Sequence, residues 1–202
     1  QRLQVDYLDS LLLHRPDALM EADQVAEAFE ILHKSGKVRD FGVSNQNPMM
    51  MELLKREVKQ PLTINQLQLS AAFTPGFDAG FHVNMEGDKA TVRDGSVFEY
   101  CKLNDMVIQA WSVLQFGYFK GNFVGKEQFQ DLNEVLNRLA LKYGVSPSAI
   151  AIAWVLRYPA KMQAIVGTTN PKHLIEASQA SNVNLTRKEW YEIYLAAGND
   201  LP

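Results

Sequence analysis

The sequence runs to 202 residues, 47% of them apolar and 21% charged, with a formal net charge of −3. That is the size of one ordinary domain, or one and a part, and the apolar share excludes a disordered chain. The slight acidity gives no electrostatic footprint for nucleic acid or an anionic membrane, and the single cysteine, Cys101, excludes an intramolecular disulfide framework. Wholly apolar runs are only a few residues long, far short of the ~20 that a spanning helix needs. A reducing, cytoplasmic setting is therefore expected, with neither nucleic acid nor membrane as partner. The chain opens on Gln1-Arg2-Leu3-Gln4 without an initiator Met or a signal-peptide pattern, so its start is expected to be cut.

Strand-like and helix-like segments alternate. Tyr7–His14 is a Leu-rich strand ending at the turn signal Arg15-Pro16-Asp17. Asp23 is expected to cap a helix carrying Val25, Ala28, Phe29 and Leu32 at helical spacing, closed by Gly36. Phe41–Asn45 reads as a second strand. Asn47-Pro48 then supplies a cap and a first helical position. A third strand is expected at Asn65–Ser70, then a Gly/Asp/Phe-rich loop, a helix over Val97–Leu103 and a fourth strand at Val107–Ser112.

From Val113 to Lys126 three glycines and four aromatics suggest a long functional loop. The next helix carries Phe129, Leu132, Leu136, Leu139 and Tyr143 on one face. Ser146-Pro147 opens another, running to Tyr158-Pro159. The fifth strand is expected at Ala164–Gly167, Asn170-Pro171 opens a helix, and Thr186 with Glu189 forms a capping box for the last one.

Strand–helix alternation with continuous apolar strands predicts a parallel α/β fold. Each strand ends in polar or glycine residues, and in a parallel sheet those ends share one side. Active sites sit there in (β/α)8 barrels, but open sheets also bind ligands at strand ends. The glycine fingerprint of an open dinucleotide fold, G-x-G-x-x-G, is missing, which favours a (β/α)8 TIM barrel.

The candidate site is drawn from those ends. His14 is either a satisfied structural histidine or a group that hydrogen-bonds a substrate carbonyl and serves in acid–base work. Ser44, Asn45 and Gln66 offer hydroxyl and amide groups suited to a carboxamide such as that of nicotinamide; capping explains Ser44-Asn45 equally well. Trp111 is a core residue or a plane on which a ring stacks. Phe116, Tyr118, Phe119 and Phe123, among Gly117, Gly121 and Gly125, form a mobile cover or a packed loop. Gly167-Thr168-Thr169-Asn170-Pro171 is a strand, turn and helix N-terminus fit for a phosphate, with Lys172 and His173 as cationic partners; simple capping explains Asn170-Pro171 but not the threonines.

Other chemistries lack their residues. Gly125-Lys126 has no P-loop spacing, no His/Cys cluster has zinc spacing, and no G-x-S-x-G elbow occurs, so no metal is expected.

Taken in order, LLLHRPD, GKVRDFGVSN, NQLQLS, AWSVL and AIVGTTNPKHL resemble the aldo-keto reductases, and the tract Tyr7–Asn45 looks like a bacterial branch of that family. The resemblance implies a (β/α)8 barrel that binds NADPH across its C-terminal mouth and passes hydride to an aldehyde or ketone. By that likeness His14 orients and polarises the substrate carbonyl, and Ser44, Asn45 and Gln66 hold the carboxamide. Trp111 replaces the aromatic, commonly Tyr, that stacks on the nicotinamide. Ser112, Leu114 and Gln115 lie where the family contacts the pyrophosphate region. Gly167, Thr168 and Thr169 match the adenosine-phosphate loop, and His173 and Glu176 match positions at the adenosine end. Asn170 stands where many members carry a basic residue for the 2′-phosphate, and Ala177 where an Asn is frequent. NADP(H) is the expected cofactor, with NAD(H) behind it.

The family's catalytic Asp, Tyr and Lys, in which Tyr donates the proton and the other two tune it, have no counterpart before Tyr7. Five strands at about 38 residues per unit would be the last five-eighths of a barrel of ~300 residues. The expectation is thus a C-terminal portion of an NADP-dependent carbonyl reductase, inactive alone. Both sheet edges would be open, so the chain is expected to aggregate or to pair with its own N-terminal part or another copy. Two rivals stand beside it. One is a non-catalytic cofactor-binding or scaffold protein, and the other a barrel lyase or isomerase acting on phosphate esters. The long loop Ala71–Ser96 is expected to shape the substrate pocket.

Overall fold

The computed structural model describes residues 3–17, 20–81, 96–117 and 120–199. Five strands, β1 (Leu8–Leu13), β2 (Val38–Ser44), β3 (Leu62–Gln68), β4 (Val107–Trp111) and β5 (Lys161–Ala164), form a sheet in the order β1-β2-β3-β4-β5. Pairing is parallel, with Leu8 opposite Val38 and Leu13 opposite Val43 in the first ladder. Helices follow the strands: α1 (Ala22–Lys34), α2 (Pro48–Lys55), α3 (Pro75–Phe81), α4 (Val97–Leu103), α5 (Gln130–Tyr143), α6 (Pro147–Leu156), α7 (Pro171–Ser178) and α8 (Arg187–Ala196). The expected parallel α/β order is what forms.

The chain folds as two compact units. The first comprises Gln1–Leu67 and Val97–Gln109, the second Gln68–Ser96 and Ala110–Pro202. In the first unit, Phe29 of α1 stacks on Phe41 of β2 with ring centroids 4.2 Å apart. Val43, Met51, Leu54, Cys101 and Ile108 are fully buried beside them. Gly42 is required by the close approach of β2 and β3: a Cβ there would lie 2.6 Å from the Ile64 carbonyl oxygen. The register also shifts at Phe41/Gly42, so the tight spot and the irregularity coincide.

In the second unit, α6 is buried from Ala149 to Val155, which explains why it is apolar on every side. Leu132, Leu136 and Leu139 of α5 are fully buried too, as their spacing predicts. Trp154, Trp190, Tyr194 and Phe77 complete an aromatic cluster. Among the described residues no single helix is long and apolar enough to cross a membrane.

Local chemistry sets the helix starts. Asn47 accepts from Met50 N–H, Ser146 from Ala149 N–H and Asn170 from Lys172 N–H, each followed by Pro at the first position. Thr186 and Glu189 form the expected capping box. Several elements differ from expectation. Asp23 lies inside the first turn of α1, behind an N-cap at Glu21. β2, β3 and β5 each start three residues earlier than their apolar runs suggest. The Gly/Asp/Phe-rich stretch after β3, expected as loop, contains α3. Most of the remainder of Ala71–Ser96, along with Tyr118 and Phe119, lies outside the described residues.

Candidate functional site

In the first unit the ends of β1, β2 and β3 are tied by a short hydrogen-bond chain. His14 follows β1 directly and is exposed. Its carbonyl accepts from Arg15 Nη1 at 3.1 Å, and the same nitrogen donates to Ser44 Oγ at 3.1 Å. Ser44 is buried; its hydroxyl donates to the Gln66 carbonyl at 3.0 Å and accepts from Asn45 Nδ2 at 3.1 Å. One donor and two acceptor sites are all a hydroxyl has, so Ser44 is saturated. It positions its neighbours rather than reaching outward.

Asn45 sits at φ +53°, a left-handed conformation that asparagine tolerates, while its N–H donates to the Gln66 carbonyl at 2.9 Å. Gln66 in turn donates through Nε2 to Gln109 Oε1 at 3.1 Å. The structure therefore brings Ser44, Asn45 and Gln66 together, and adds two residues that sequence reasoning passed over. The sequence marks Arg15 only as part of a turn signal. Gln109 could have been noticed as a polar residue between the buried Ile108 and Ala110 of β4.

The second unit holds a cleft of about 440 Å³. Trp111, Ser112, Leu114, Gln115, Gly167, Thr168, His173 and Glu176 are among its lining residues. Eight positions singled out from sequence thus share one cavity. Thr169 and Lys172 are not among its lining residues, while Asn122, Ser148 and Ile152 are additional ones.

Ser112 adopts φ +54°, its hydroxyl 3.1 Å from Gln115 Oε1, which turns the chain out of β4 and folds Gln115 back over it. The Gln115 carbonyl accepts from Ser70 Oγ at 2.6 Å. A Cβ on Gly167 would meet nothing within 4 Å, so glycine there relieves no clash and leaves open space in the cleft wall. Thr168 Oγ1 accepts from Asn170 N–H at 3.1 Å. Capping therefore accounts for one of the two threonines as well as for Asn170-Pro171.

The loop after β4 is packed in its described part. Phe123 is fully buried, and Phe116 and Phe123 lie 5.1 and 6.2 Å from the Phe129 ring. Asn133 of α5 clamps the loop, accepting from Gly125 N–H at 2.6 Å and donating to the carbonyls of Phe123, Lys126 and Phe129.

Among the described residues two Lys–Tyr–carboxylate groups occur, Lys142–Tyr143–Glu189 in the second unit and another on helices of the first. Lys55 Nζ bonds Glu52, Tyr100 and Asn104, and Tyr100 donates to Glu52. Burial first and Glu52 second push the Tyr100 phenol above its ordinary value. The group fastens α2 to α4 and is not set to give up a proton. Among the described residues no cluster of His, Cys, Asp or Glu could hold a metal.

An aromatic plane, hydroxyl and amide groups, a bare glycine wall and a helix N-terminus in one cleft fit part of a dinucleotide. The chain is 34% identical over 198 residues to a 6-dehydroglucose reductase of Agrobacterium fabrum, covering 97% of this chain and 59% of that protein. It is 35% identical over 202 residues to the oxidoreductase YdhF of Escherichia coli, covering 99% and 61%. It thus spans about three-fifths of the length of these relatives. An aldo-keto reductase of Klebsiella pneumoniae, solved in complex with NADPH, superposes with a TM-score of 0.72 at 25% identity, over 95% of this chain and 59% of that one. The five-stranded parallel sheet is therefore part of the barrel of such enzymes. Residues 1–196 match the aldo/keto reductase family, and the chain belongs to it.

Proposed function

We propose that the whole protein to which these residues belong reduces an aldehyde or ketone to an alcohol with NADP(H), in the cytoplasm. The 202 residues would supply the C-terminal part of its barrel. The observation that carries this reading is the gathering of Trp111, Ser112, Leu114, Gln115, Gly167, Thr168, His173 and Glu176 around one cleft. The NADPH complex of the Klebsiella pneumoniae protein and the reductase names of the relatives support it.

Roles follow from the groups present. Trp111 offers the stacking plane for the nicotinamide. In the first unit Asn45 and Gln66, held by the saturated Ser44, offer amide groups suited to a carboxamide. Ser112 and Gln115 take the diphosphate, and Thr168 with the start of α7 the adenosine phosphate, beside His173 and Glu176. Thr169 completes that turn from outside the cleft lining. The bound nicotinamide supplies the hydride. His14, held by its neighbour's contact to its carbonyl, orients the substrate carbonyl and withdraws charge from it. Asn170 spends its side-chain oxygen on the Lys172 N–H and offers no cation to a 2′-phosphate, which leaves the His173 imidazole of the cleft lining to meet it.

The Asp, Tyr and Lys that complete the family's proton transfer are not matched in this chain, so the chain alone binds cofactor without turnover. The test is NADPH oxidation by the whole gene product against a panel of aldehydes and ketones, with and without His14→Ala. Turnover that His14→Ala lowers at least a hundredfold supports the reading. NADPH binding with no turnover of any carbonyl would make the protein a cofactor-binding scaffold. Binding of sugar phosphates with indifference to NADPH would make it a lyase or isomerase.

A further inference from the structure

The second unit has another cleft, of about 270 Å³, lined by Arg157, Tyr158, Pro159, Arg187, Trp190 and Tyr191. It shares no lining residue with the 440 Å³ cleft and lies where α6 runs out and α8 begins. None of the roles proposed above uses it.

Its composition is unusual for a surface hollow, with two guanidinium groups, three aromatic rings, one proline and no carboxylate. The acidic residues nearest in sequence are spent elsewhere. Glu189 binds Lys142, Tyr143 and Thr186, and Glu192 pairs with Arg138. Asp78 accepts from Tyr194 and Thr74. Among the described residues neither Arg157 nor Arg187 has a carboxylate partner. Arg157 is nonetheless fixed, because its Nε donates to the Leu185 carbonyl at 2.8 Å, leaving its two terminal nitrogens for another acceptor. Arg187 stands exposed at the first position of α8, while the carboxylate of that first turn, Glu189, is held by Thr186, Lys142 and Tyr143.

The aromatic wall is rigid. Trp190 is only 8% exposed, stacked on Trp154 and Tyr194 and edge-on to Tyr191 at 5.0 Å. Phe77 lies under both Tyr158, at 4.7 Å, and Trp190, at 5.7 Å. A preformed wall costs a ligand little ordering. Drug-sized ligands occupy about 300 Å³ or more, so this hollow suits a single ring.

We propose that this cleft binds a single-ring aromatic carboxylate, its ring against Tyr158, Trp190 and Tyr191 and its carboxylate bridged by Arg157 and Arg187. A planar guanidinium fork matches a carboxylate in both geometry and charge. Two forks and an aromatic wall select for both halves of such a molecule, so neither a neutral ring nor a bare anion should bind comparably.

The test is a titration of the full chain with benzoate, benzyl alcohol and inorganic phosphate, read by tryptophan emission and by chemical-shift changes of the Trp190 indole N–H. It is run in wild type, Arg187→Ala, Arg157→Lys and Trp111→Phe. Arg187 is exposed and its truncation leaves the core intact, whereas Arg157→Lys is the second variant because Arg157 also ties down the Leu185 carbonyl. Saturable benzoate binding is expected, with benzyl alcohol and phosphate each about tenfold weaker or worse. Arg187→Ala should weaken benzoate about tenfold, Arg157→Lys should weaken it less, and Trp111→Phe should leave it unchanged, with NADPH not competing. No saturation, binding indifferent to Arg187→Ala, or displacement by NADPH would overturn the proposal. The last outcome would place benzoate in the larger cleft without touching its assignment as a cofactor site.

Discussion

Trp154 and Trp190 exchange hydrogen bonds: each indole N–H donates to the other residue's backbone carbonyl, at 2.9 and 3.0 Å, with the rings 4.8 Å apart and 11° from parallel. The exchange joins the central helix α6 to the last helix α8 through two buried donors that have no water to fall back on. Trp154→Phe keeps the ring stack and removes one donor and some volume. It should cost about 2 kcal/mol, read as a lowered urea midpoint with unchanged slope. An effect under about 0.5 kcal/mol would mean the exchange contributes little.

Glu189 gives the fold a defined acid limit. Burial raises its carboxyl, but hydrogen bonds from Lys142, the Thr186 backbone and hydroxyl and Tyr143 outweigh burial and bring it down to about 2. Because the folded value lies below the ordinary 4.5, the stabilisation is fully present above pH 4.5 and disappears as pH falls towards 2. Glu189→Gln should lower stability by about 1 kcal/mol at pH 7, and the two proteins should converge by pH 2. Parallel stability curves across that range would contradict the assignment.

Asn133 holds the loop after β4 from one side chain, its Oδ1 accepting from Gly125 N–H and its two amide hydrogens shared among the Phe123, Lys126 and Phe129 carbonyls. Asn133→Ala leaves buried backbone groups without partners and should cost about 2–3 kcal/mol. Limited proteolysis should then cut between residues 113 and 126 well before wild type is cut there. Equal cutting rates would show that aromatic packing alone fixes the loop.

Cys101 is fully buried, and that burial pushes its thiol up to about 11 against a weaker opposing hydrogen bond from Asn65. So little thiolate exists at pH 8 that a disulfide reagent should label the native chain only at its opening rate. Prompt labelling, before any loss of tertiary signal, would contradict the burial of α4.

Much of this fold was legible because its signals are local. Asn47-Pro48, Ser146-Pro147 and Asn170-Pro171 start helices by an interaction spanning three residues or fewer, and that chemistry is written in the sequence. Strand ends were less legible, since a neighbour sets them. The apolar run Ala164–Gly167 suggested β5, but pairing fixes the strand at Lys161–Ala164 and sends Gly167 into the cleft wall. Trp111, Gly167 and His173 could be proposed as partners only through the family resemblance, because their approach depends on two distant segments. Arg15 escaped notice for the same reason: its contact with Ser44 spans 29 positions.

The most direct test of the cofactor assignment is a titration of this 202-residue chain with NADPH, following quenching of tryptophan emission in wild type and in Trp111→Ala. Saturable quenching is expected in wild type, weakened about tenfold or more in Trp111→Ala, with NADH binding less tightly and no oxidation of NADPH by any added aldehyde. An absence of saturable binding, or binding untouched by Trp111→Ala, would contradict it.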